Sequence, residues 1–85
     1  MGQFDWPTIR SAAEKLSLKE NPQKEVDTLL TAIAKGDSEC KIRCFCWLCP
    51  WLNKLDEEAK KTFDTLKNEF AWQYAWAKNI LKQIE

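Results

Sequence analysis

Histidine is absent, glycine occurs only twice and proline three times in 85 residues, and 13 basic side chains are cancelled by 13 acidic ones. Without histidine the chain lacks the commonest general base and the commonest transition-metal ligand. No pair among its Asp, Glu and Lys residues forms a recognisable catalytic arrangement, so no enzyme activity is expected. The charges are evenly spread, seven of each sign through Phe45 and six of each after it. That balance removes the footprint of a nucleic-acid binder, and no specific nucleic acid is expected. No apolar run reaches the roughly 18 to 20 residues that span a bilayer. The longest, Cys44 to Leu52, is interrupted by Pro50. The N-terminus shows no basic segment followed by an apolar one, so no secretory signal is read there and the cysteines are expected to stay reduced.

What the chain does have is core material, with 45% hydrophobic and 12% aromatic residues. A chain of this length buries about 60 to 65% of its unfolded surface. One filled core is therefore expected, in a single domain over residues 1–85, and disorder is not.

No segment alternates with period two, and helical spacing recurs throughout. Asp5-Trp6-Pro7 opens a first helix, with Asp5 or Trp6 as cap, and Ile9, Ala12, Ala13 and Leu16 share a face down to about Leu18. Asn21-Pro22 starts a second, with Asn21 capping and Pro22 in the first turn; Val26, Leu29, Leu30 and Ile33 form its apolar stripe. Gly36 is expected to stop that helix in a left-handed conformation. Asp37 or Ser38 caps a third helix, which Pro50 must end. From Leu55, the residues Ala59, Phe63, Leu66, Phe70, Tyr74, Ala77, Leu81 and Ile84 predict one long amphipathic helix. The fold expected is all-α, a compact bundle of four to five helices with a long C-terminal helix as its spine.

Cys40, Cys44, Cys46 and Cys49 lie within ten residues. A tetrahedral metal site usually draws ligands from two separated knuckles, and this spacing has only one. On a helix Cys46 points away from the face of Cys40 and Cys44. The cysteines are read as buried filler, with no metal or cofactor; redox chemistry or S-acylation at Cys44 and Cys49 is the alternative and requires exposure.

Trp47, Trp51, Trp72 and Trp76 are more indole than so small a core can hide, and Trp72 and Trp76 stand one helical turn apart. They are candidates for a partner surface or a membrane-interface contact. In the plainer arrangement Trp51 and Trp76 meet in the core and Trp72 covers its rim. At the other end, Met1-Gly2 permits N-myristoylation at Gly2, although Trp6 stands where the signal favours Ser or Thr. One acyl chain binds membranes only marginally and needs a basic second signal. Arg10, Lys15 and Lys19, with Lys24, Lys41 and Arg43, are the candidates for it; an ordinary solvated face is the alternative.

A Met1-Gly2-Gln3 start, a short first helix, a second opening Asn21-Pro22-Gln23-Lys24-Glu25 and running to Gly36, an aromatic segment with Cys49-Pro50-Trp51, and a final Asp56-Glu57-Glu58-Ala59 helix together resemble the matrix domain of retroviral Gag polyproteins. The resemblance implies a helical bundle at the N-terminus of Gag that carries the polyprotein to the inner face of the plasma membrane during particle assembly. Host cytoplasm, the inner leaflet and the virion are the implied locations, an anionic membrane surface is the implied partner, and self-association is expected to multiply weak contacts. Gly2 matches the acylated glycine, and Arg10, Lys15 and Lys19 fall where many members bear membrane-facing basic residues. The second expectation from the residues is a cytosolic viral accessory or protein-interaction domain, with a partner helix bound through Trp72, Trp76 and the Cys44 to Leu52 segment.

Overall fold

The computed structural model describes residues 6–18 and 20–84. Within them are five α-helices, α1 (Trp6–Lys15), α2 (Gln23–Lys35), α3 (Ser38–Leu48), α4 (Glu57–Glu69) and α5 (Ala71–Ile84), with a 3₁₀ turn over Cys49–Lys54 and no strand. The all-α bundle expected from the spacing is what forms. Helix α3 is the hub, packing on α1, α2 and α5, while α4 bridges α2 and α5.

Local chemistry accounts for most of the boundaries. The Asp37 carboxylate accepts from the Cys40 N–H at 2.8 Å, and Asp56 accepts from the Ala59 N–H at 2.8 Å, so each caps the helix that follows it. Pro50 ends α3 as expected, and the chain tightens into the 3₁₀ turn rather than an open loop. Helix α2 begins one residue later than the sequence suggested, because Pro22 occupies the cap position and its carbonyl accepts from the Val26 N–H. Asp5, the other cap expected for α1, lies outside the described residues.

Two expectations need correction. Gly36 is not left-handed: its φ is −78° and ψ 175°, extended backbone open to any residue. What it provides is space, since a Cβ there would lie 2.6 Å from the Ala32 carbonyl oxygen and 2.7 Å from the Cys40 sulfur. Nor is the C-terminal run a single rod. It breaks at Phe70, whose φ of −115° and ψ of 53° end α4. At 1.5 Å per residue a straight helix from Glu57 to Ile84 would be about 42 Å long. The molecule measures 33 × 29 × 25 Å, so such a rod would carry its last turns past the core. The bend lets α4 lie on α2 and returns α5 against α3.

The core joins Ile9, Ala12 and Leu16 of α1 to Leu29, Ile33, Cys44, Phe45, Leu48, Phe63 and Ala77. Its centre is a three-ring cluster in which Phe45 meets Phe63 edge-on at 5.6 Å and Tyr74 at 5.4 Å, fixing α3 against α4 and α5 together.

Candidate functional site

The six basic candidates do not converge. Lys41 is only 7% exposed. Its ammonium donates to the Gly36 carbonyl at the negative end of α2 and lies 4.3 Å from the centre of the Phe70 ring. Lys41 therefore ties α2, α3 and the bend together and presents no charge to a membrane, which corrects its place among the surface candidates. Arg43 is exposed but pairs with Glu39 at 3.1 Å one turn back on α3. Lys19, like Gly2, lies outside the described residues.

Lys15 and Lys24 do meet. Both are exposed, and both line one groove between α1 and α2, of about 470 Å³, with Pro7, Thr8, Ser11, Thr28 and the buried Glu25. Pro7 and Thr8 belong to the first turn of α1, so the N-terminal entry of the chain is part of this groove. Arg10 is exposed on α1 but does not line it.

The second surface is aromatic. Trp76 is 58% exposed and Trp72 54%, so the arrangement that put Trp76 in the core with Trp51 is overturned. Trp76 faces Trp47 instead, across a groove of about 540 Å³ between α3 and α5 that Ile42, Cys46 and Ile80 also line, with Glu39 and Arg43 at its edge. Trp72 stands one turn N-terminal to Trp76, outside the groove lining. Trp51 sits elsewhere, half-buried in the 3₁₀ turn with the Lys54 ammonium 4.6 Å from its ring centre. Ile42 and Ile80 were not singled out from the sequence as surface residues, and Cys46 was read there as buried filler and as part of the Cys44 to Leu52 segment. The signal was available, because Ile42 and Cys46, and likewise Trp76 and Ile80, stand four residues apart on a helix.

All four cysteines are free thiols, two buried and two half-buried. Cys40 donates weakly to the Ala32 carbonyl at 3.8 Å and Cys46 to the Ala77 carbonyl at 3.5 Å. The filler reading fits these positions, and burial of Cys44 removes the exposure that S-acylation there requires. Among the described residues no group of three or more Cys, Asp or Glu side chains is placed to hold a metal ion. Burial pushes every thiol above its ordinary range, Cys44 furthest. An unfolded thiol ionises near pH 8.5, as a rough reference, whereas the folded chain keeps its proton. The stability this burial contributes is thus intact below that pH and is lost as pH rises above it. The urea midpoint is expected to fall between pH 7.5 and pH 9.5, and Cys44→Ala is expected to lessen that fall; an equal fall in the variant contradicts the assignment.

Among the described residues no helix is long and apolar enough to cross a membrane. No family model, curated protein or solved structure matches the chain.

Proposed function

We propose that this chain is a structural module of the retroviral matrix type, which brings Gag to the inner face of the plasma membrane and supports particle assembly without catalysing a reaction. The observation that carries the reading is the convergence of Lys15, Lys24 and the first turn of α1 on one groove. Gly2 precedes Pro7 by five residues. An extended chain covers at most about 3.3 to 3.6 Å per residue, so an acyl chain on Gly2 is tethered within roughly 18 Å of Pro7, which lines the groove. An acyl chain and the two exposed lysines of the groove supply the two kinds of signal, apolar and cationic, that membrane anchoring combines. The helix order supports the same reading.

Each lysine close to an anionic leaflet contributes about 1 kcal/mol. The double variant Lys15→Ala, Lys24→Ala is therefore expected to bind vesicles containing phosphatidylserine about 30-fold more weakly than the parent. Binding of both proteins to uncharged vesicles is expected to be equal. Unchanged affinity of the variant for charged vesicles contradicts the role of the groove.

The exposed Trp72 and Trp76 favour a second reading, a cytosolic accessory or protein-interaction domain. Under it Trp76→Ala abolishes capture of a protein partner by the folded chain and leaves vesicle binding untouched.

A further inference from the structure

The outer face of α5 carries a half-exposed indole, Trp72, and beside Trp76 a groove lined by Trp47, Ile42, Cys46 and Ile80 together with the Glu39–Arg43 ion pair. Trp72 and Ile80 stand four residues, about 6 Å along the axis, on either side of Trp76. A second α5 laid antiparallel, with the two Trp76 residues at a twofold axis, places its Trp72 opposite Ile80 at the groove. The same insertion recurs at the other end. A surface that holds both the projecting group and its receptacle, symmetrically disposed, is what an isologous interface requires.

We propose that the occupant of the α3/α5 groove is Trp72 of a second copy of this chain, in a dimer built by antiparallel pairing of α5. Charge selects the direction. Helix α5 has no acidic residue and carries Lys78 and Lys82, while exposed Glu69 stands just before it. Parallel pairing sets each lysine beside its own counterpart. Antiparallel pairing brings the Glu69 end of one copy to the Lys82 end of the other and opposes the two helix dipoles. Area sets the strength. A tryptophan buries roughly 150 to 250 Å² when fully covered, so each half-exposed indole offers about 100 Å². Even with the groove walls added, the interface falls in the weak class below about 1,200 Å². Such contacts count when many copies are held at high local concentration, as on an assembly surface.

The dimer rests on the α3/α5 face, away from the α1/α2 groove, and is tested without lipid, so its failure leaves the membrane reading standing, and the converse also holds. The experiment is sedimentation equilibrium of the full chain from about 10 µM to 1 mM, a range that reads weak association. Reversible dimerisation is expected, weakened at least tenfold by Trp72→Ala, which removes the projecting group, and likewise by Ile80→Glu, which charges the receptacle. Trp72 is about half exposed, so Trp72→Ala is expected to keep the folded circular dichroism spectrum, at a lower melting temperature. Mixing the two variants is expected to restore association in part, because one intact insertion survives in the mixed pair. A parent chain that stays monomeric at 1 mM overturns the proposal. So does a Trp72→Ala variant that associates like the parent, or a mixture no stronger than its components. A Trp72-dependent blue shift of indole emission on vesicles without self-association assigns the face to lipid and also overturns it.

Discussion

Phe45→Ala is expected to remove a large share of the chain's stability. Phe45 is fully buried and touches both Phe63 and Tyr74 edge-on, so its ring is the joint through which α3 holds α4 and α5. Truncating a buried phenylalanine costs about 3 to 5 kcal/mol, from lost transfer energy and the cavity left behind. At roughly 0.05 to 0.15 kcal/mol per residue, a chain of this size has only about 4 to 13 kcal/mol in all. Phe45→Leu keeps much of the volume and is expected to fold with a reduced midpoint. Urea titration followed by circular dichroism checks both; a near-parental midpoint for Phe45→Ala contradicts the central place given to the cluster.

Gly36→Val is expected to be nearly as damaging, and for a reason unlike the usual one for a glycine after a helix. A Cβ at this position meets the Ala32 carbonyl oxygen at 2.6 Å and the Cys40 Sγ and Cβ at 2.7 and 2.8 Å. The carbonyl cannot swing aside, because it accepts the Gly36 N–H that closes α2. Moving α3 relieves only the Cys40 contacts and strains the Lys41 contact with the Gly36 carbonyl, while the Ala32 contact is relieved only by distorting the end of α2. Overpacking a tight site costs about 1 to 3 kcal/mol for a small excess. Gly36→Ala is expected at the lower end and Gly36→Val beyond the upper end. Asn, which tolerates left-handed backbone, is expected to be no better than Ala; rescue by Asn contradicts the extended geometry.

These two positions show what the sequence discloses. Apolar spacing announced the helices, since Ile9, Val26, Leu29, Ile33, Phe63 and Leu66 repeat at intervals of three and four and all are buried. Asp37 and Asp56 announced two starts by their capping chemistry. The break at Phe70 was hidden because the apolar repeat passes through it in register; only the size of the core decides that the rod must fold back. Lys41 looked like surface charge because its partner Phe70 lies far along the chain. Trp76 looked equally suited to core or surface until the bend set which face of α5 meets α3. The pairing of Lys15 with Lys24 depends on how α1 crosses α2, and no local pattern encodes that crossing.

The claim that ties the α1/α2 groove to function is that two weak signals act together at an anionic membrane. Flotation of the chain carrying myristate on Gly2, and of the unmodified chain, with vesicles of increasing phosphatidylserine content at low and high salt, tests it most directly. Strong binding is expected only when acyl chain and lipid charge are both present, with loss of that binding as salt rises. Binding indifferent to lipid charge and salt, or no binding by the acylated chain, contradicts it.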